Sequence, residues 1–130
     1  MSTPPILFVD AQAAAVSILA AELSQPVRTR VPNPRPAEFV RVERLGGARR
    51  NLVTDEALIS VEAWAETEQD AHDLAQLARG WLHAAQGSTV AGFGTVYRVD
   101  ELGGPAHSPD PESGQERFTF SVQLALRATH

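Results

Sequence analysis

Two stretches of this chain alternate apolar and polar side chains at every second residue, and a helical stripe lies between them. In EALISVEAWAE (56–66), Ile59, Val61, Ala63 and Ala65 share one face, while Ser60, Glu62 and Trp64 share the other. In RFTFSVQLALRA (117–128), Phe118, Phe120, Val122, Leu124 and Leu126 oppose Thr119, Ser121, Gln123 and Arg127. A period of two belongs to a strand with one buried face. Between them, Ala71, Leu74, Ala75, Ala78, Trp81 and Leu82 recur at spacings of three and four, the signature of an amphipathic helix. Strands with one apolar face and a helix with one apolar stripe have to cover each other.

The remaining elements follow from local signals. Asp10 is placed to cap a helix running to about Leu23, with Val16, Leu19, Ala20 and Leu23 on one face. VRTRV (27–31) alternates as a short strand does, and PNPRP (32–36) then requires an extended loop. EFVRVERL (38–45) reads as a strand with Val40 and Val42 on one face and Arg41 and Glu43 on the other. GGARRN is read as the turn of a long β-hairpin, 38–66, for which Gly46 and Gly47 suit a tight or bulged connection. Thr67 caps the second helix, Glu68 and Asp70 complement its dipole, and Gly87 follows its end near Ala85. TVYRVDEL (95–102) is a strand, and GGPAHSPDPESGQ (103–115) reads as a flexible loop. The expectation is one α+β domain over 1–130, ordered α-β-β-β-α-β-β. It is a two-layer structure, with a mostly antiparallel or mixed twisted sheet carrying two helices on one face.

Composition narrows the chemistry. A chain of 130 residues fits one domain. With no cysteine, disulfides, thiolate metal sites and thiol catalysis are closed to it. No apolar run is long enough for a bilayer span and the N-terminus has no basic leader, so a product made in the cytoplasm is expected, with no membrane partner. His72 and His83 stand eleven residues apart, ~16 Å along a helix, too far to share a metal. His107 falls in the expected loop and His130 is terminal. No HExxH, no G-x-S-x-G elbow and no phosphate-binding glycine loop is present, since GFGTVY (92–97) leads into a strand. The expectation is no enzyme, no catalytic or metal residue and no cofactor.

Charge is the other feature. Every cation is an arginine. Residues 1–54 hold seven arginines against four acids, and residues 55–130 hold four against twelve, for a net charge of −5. RLGGARRNLVT (44–54) gathers three of the arginines with no acid before Asp55. Such asymmetry points to directed association, or to two halves that neutralise each other within one fold. Direct nucleic-acid binding fits poorly, because no DNA-binding module appears, aromatics do not interleave with the arginines, and the isoelectric point is near 5.3. The candidate protein-interface residues are Arg35, Arg41, Arg44, Arg49, Arg50 and Glu62. The first docking hypothesis uses Arg44, Arg49 and Arg50 against a protein.

In size, element order and particular residues, the chain resembles the tail terminator proteins of long-tailed, siphovirus-type bacteriophages. The resemblance runs through VPNPRPAEFVRVERLGG, with Arg35–Pro36, Phe39–Val40 and Gly46–Gly47. It continues in DEALISVEAWAE and AHDLAQLARGWL, with Asp55, Ile59, Val61, Trp64, Ala71, Leu74, Arg79 and Leu82. It implies a structural virion protein at the head-proximal end of the tail, forming a homo-oligomeric ring, usually of six. Such a ring caps the tail tube, stops its polymerisation and provides the head–tail joining surface. Implied partners are other copies of the chain, the major tail tube protein and a head-completion or connector protein. Genomic DNA would pass through the lumen without specific binding. Two other readings stand beside it: a different neck or tail-completion protein, and a small cytoplasmic ligand-binding α/β domain.

Overall fold

The computed structural model describes residues 4–51 and 53–127. Ala128, at the end of the expected last strand, and His130 lie outside them. The order is α1 (Ala11–Ala20), β1 (Val27–Arg28), β2 (Phe39–Arg49), β3 (Thr54–Ala65), α2 (Glu68–Ala84), β4 (Thr89–Val90), β5 (Gly94–His107) and β6 (Glu116–Arg127). The fold is the expected α+β layer, with one two-residue strand, β4, added at the edge. Six strands form a single mixed sheet in the order β1-β2-β3-β6-β5-β4. Only β1 against β2 is parallel.

The core lies between the helices and one face of the sheet. Val40 and Val42, the odd-numbered residues Ala57 to Ala65, and the even-numbered residues Phe118 to Leu126 meet α1 and α2 there. The expected alternation of β3 and β6 is therefore the observed one. The ladders put Val61 opposite Phe120, and Ile59 opposite Val122. Register is held because a slip of one residue would turn every apolar side chain to the other face.

The helices begin where their caps place them. The Asp10 carboxylate accepts from Ala13 N at 3.0 Å, and the Thr67 hydroxyl from Asp70 N at 3.1 Å. The face of α1 differs from expectation. Ala11, Ala14, Ala15, Ile18, Leu19 and Leu23 are buried, whereas Val16 is half-buried and Ala20 exposed. In a helix made almost entirely of alanine and aliphatic residues no polar side marks the solvent, so the stripe has no contrast to show it. On α2 the expected stripe is buried except at Trp81, which is 37% exposed. Its indole borders an apolar cleft of about 350 Å³ with Ile18, Ala21, Ala85 and Val90.

Three boundaries also shift. β1 keeps only Val27–Arg28 of the expected 27–31. β2 runs through Gly46 and Gly47 to Arg49, so the glycines are paired within the ladder just after a bulge and the turn lies beyond them. β5 extends to His107, pairing Gly103 with Ser121 and Ala106 with Thr119, where a loop from 103 was expected. The turn that remains is held by Asp110, whose carboxylate accepts from Ser113 N at 3.0 Å and from its hydroxyl at 2.6 Å.

Candidate functional site

The hairpin of β2 and β3 carries most of the candidate residues. Its ladder shifts register between Arg44 and Gly46, which leaves Leu45 as the additional residue. Gly47 has φ +107°, and a Cβ there would come within 2.0 Å of Glu56 O. Only glycine fits that approach. The turn closes with Arg50 N donating to Thr54 O at 2.9 Å, and Asn51 Oδ1 accepts from Val53 N at 2.9 Å. From Gly47 to Asn51, and again at Val53, the arm is exposed.

The arginines of RLGGARRNLVT have distinct surroundings. Arg44 lies on the helix-covered side of the sheet. Its Nε donates to Gly46 O at 2.8 Å across the bulge, and its two terminal nitrogens reach both oxygens of Asp55 at 2.8 and 2.9 Å. Asp55 is 5% exposed, so this bidentate pair is the internal partner of Arg44. Arg49 lies over the Phe8 ring at 5.0 Å, and Arg50 stands 3.6 Å from Glu56. Both remain exposed. Arg44 is thus occupied within the chain, while Arg49 and Arg50 present their charge outward.

The other three candidates meet on the helix-free face. Phe39 stacks on Trp64 with centroids 5.0 Å apart, and both are buried although they point away from the main core. Alternation placed Trp64 on this face correctly; its burial comes from what covers it. Arg35 and Arg117 lie over the indole at 5.8 and 5.2 Å. Glu62 is the shared acceptor, 3.3 Å from Arg41, 3.8 Å from Arg117 and 3.2 Å from Trp64 Nε1, which donates to it. Arg41 also reaches Glu43 at 2.5 Å, and Arg35 stands 3.9 Å from Asp110 in the β5–β6 turn. Arg117 belongs to this cluster and was not singled out from the sequence. The signal is its register opposite Trp64, which requires knowing that β6 lies beside β3.

His72 and His107 both lie against the Phe118 ring, and His83 stands elsewhere on α2. His72 sits beside Asp73 and edge-on to Phe118, and His83 is 3.8 Å from Glu101. His107, expected in a loop, ends β5 and pairs with Glu116 at 2.5 Å and Glu68 at 3.6 Å. Among the described residues no group of three or more His, Cys, Asp or Glu is placed to hold a metal ion, and no helix is long and apolar enough to cross a membrane. Two carboxyls lie below their usual range. Glu101 is held there chiefly by its hydrogen bond from Arg79, and Asp110 chiefly by the Ser113 hydroxyl. What the surface offers is an exposed arm and salt-bridged faces, which suit protein contact.

Residues 7–130 match the sequence family described as phage tail termination protein. The chain belongs to that family. No individual curated protein matches it. Phage tail termination proteins are structural components of the tail, and this is not a family of enzymes. Membership gives the protein a structural role in completing the bacteriophage tail, a place in the virion, and contact with other tail and head components.

Proposed function

We propose that this tail termination protein forms a closed ring, of six subunits, that caps the head-proximal end of the tail tube. The ring stops tube polymerisation and presents the surface to which the head-completion or connector protein binds. Its lumen passes the genomic DNA without binding it specifically. The β2–β3 arm carries the reading. It presents the charges of Arg49 and Arg50 and the half-exposed Leu45 and Val53 on one projecting element, at 54% and 38% exposure for the two apolar residues. Exposed apolar side chains flanked by arginine forks are suited to docking a protein bearing carboxylates. The arm's partner is the tail tube protein or the adjacent subunit, and Arg44 serves to hold the arm in shape.

The test is R49E/R50E, scored by its incorporation onto purified tails at physiological salt. Loss of incorporation, with the unfolding midpoint within a few degrees of wild type, is expected. Wild-type incorporation by the variant would remove the arm from the contact.

A further inference from the structure

The sheet has two edges, each closed at particular backbone groups. On β2, Gln12 Oε1 accepts from Arg44 N at 2.7 Å. On β5, β4 pairs only at Gly94 and Thr95, and Gln86 Oε1 accepts from Val99 N at 2.9 Å. Gln12 of α1 and Gln86, just past the end of α2, thus each close a backbone group that an edge strand would otherwise offer. Besides β2 beyond Arg41, which forms the arm, and the two-residue β4, two stretches have neighbours on one side only. One is β1, paired to β2 through Val27 and Arg28, with its other side outward. The other is β5 from Asp100 to His107, paired to β6 alone.

These two open stretches are complementary. Arg28 and Arg30 are exposed, and neither has a carboxylate partner among the described residues; Arg28 donates to its own neighbour Val27 O at 3.0 Å. The β5 stretch opens with Asp100 and Glu101. Each stretch also exposes an aliphatic side chain, Val31 at 41% and Leu102 at 54%. Direction agrees as well. β1 runs parallel to β2, and each further step to β3, β6 and β5 reverses direction, so β1 and β5 run antiparallel. A second copy set beside the first with its strands in the same sense would bring its β5 antiparallel to β1, the pairing with perpendicular hydrogen bonds.

We infer that the open edge of β1, Val27–Arg28, with the segment that follows it to Val31, pairs with the open edge of β5, residues 100–107, of a second copy of this chain. This rests on the ring reading above and names its subunit contact. The contact is heterologous, since one edge meets a different one, and repetition about an axis closes it into a ring. Arg28, on the helix-free face beside Arg41, meets Asp100, whose ladder partner Gln123 is on that face. Arg30 and Glu101 add to the opposed charge of the two edges, and reversal of either side sets like charges together.

The experiment is light scattering on a size-exclusion column over a concentration series. It compares wild type, R28E/R30E, D100R/E101R and an equimolar mixture of the two variants. Wild type is expected as a multimer. Each variant alone is expected as a monomer, with its midpoint for assembly raised at least roughly tenfold. The mixture is expected to regain the multimer, because alternating copies restore opposite charges at every contact. Asp100 and Glu101 also pair with Arg98 and Arg79 in the same chain. Where D100R/E101R loses its fold by circular dichroism, L102R places positive charge on the same edge with both pairs intact. A wild-type multimer that survives R28E/R30E, or folded variants that stay monomeric when mixed, would overturn the edge pairing and leave the ring reading standing. A wild type monomeric at every concentration would count against both.

Discussion

Asp55 and Gly47 show how single residues hold the arm. The Asp55 carboxylate is nearly buried and receives both forks of Arg44. Asp55→Ala leaves a part-buried guanidinium with only Gly46 O, and costs about 2 kcal/mol in urea unfolding. Replacing either glycine after the bulge separates two effects. Gly46 has φ +138° with open space around the Cβ position, so Gly46→Ala introduces backbone strain alone. Gly47→Ala adds the collision with Glu56 O and is expected to destabilise by more, on the order of 2–3 kcal/mol. Equal losses at the two positions would show that the arm relaxes around the added methyl.

At the scale of elements, the β5–β6 hairpin replaces what reads in sequence as a loop. Prolines, glycines and serines in 103–115 suggest irregular backbone, but Gly103 to His107 remain in the ladder because β6 offers a complete partner edge. Deletion of 105–113 therefore removes part of a strand and is expected to lower the unfolding midpoint. A shorter deletion confined to 109–114 is expected to be better tolerated, and equal losses would place the stabilising contacts in the turn itself. The turn also titrates. Ser113→Ala removes the main hydrogen bond on Asp110 and raises its carboxyl toward the usual range, measurable by carbon-detected NMR titration. Because the folded-state value is depressed, Asp110 contributes stability above its unfolded pKa. That contribution fades as pH falls through the folded value. A titration unchanged in Ser113→Ala would assign the shift to the backbone donors and the Arg117 charge.

For the whole molecule, charge partition decides the surface. The basic N-terminal half and the acidic C-terminal half do neutralise each other in part, through Arg44–Asp55, Arg41–Glu62 and Arg50–Glu56 across the β2–β3 hairpin. Arg28, Arg30 and Arg49 are left without a carboxylate partner among the described residues. If they hold subunits or tube, assembly weakens with salt: the scattering mass is expected near six subunits at low ionic strength and lower at ~1 M, where exposed charges are screened within ~3 Å. A mass independent of salt would assign the contact to apolar groups such as Leu45, Val53 and Leu102.

The amino-acid sequence by itself determined the elements whose two faces differ in polarity. In β3, β6 and α2, burying one face is a large and periodic free-energy term, and periodicity is visible in one dimension. The caps Asp10 and Thr67 were legible for a similar reason, since each acts on backbone three residues away. The resemblance that identified the family rests on the same local patterns. Only the tertiary structure decided which side of the alanine-rich α1 is buried, where polarity gives no contrast. It alone decided that Gly46 and Gly47 continue the ladder after a bulge at Leu45, and that Gly47 must be glycine, because that depends on the Glu56 carbonyl of the facing strand. It also decided that Trp64 is covered by Arg35 and Arg117, and that Arg44 is occupied by Asp55. Each of those outcomes depends on a partner distant in sequence or on another strand, and strand order is set by packing the sheet as a whole.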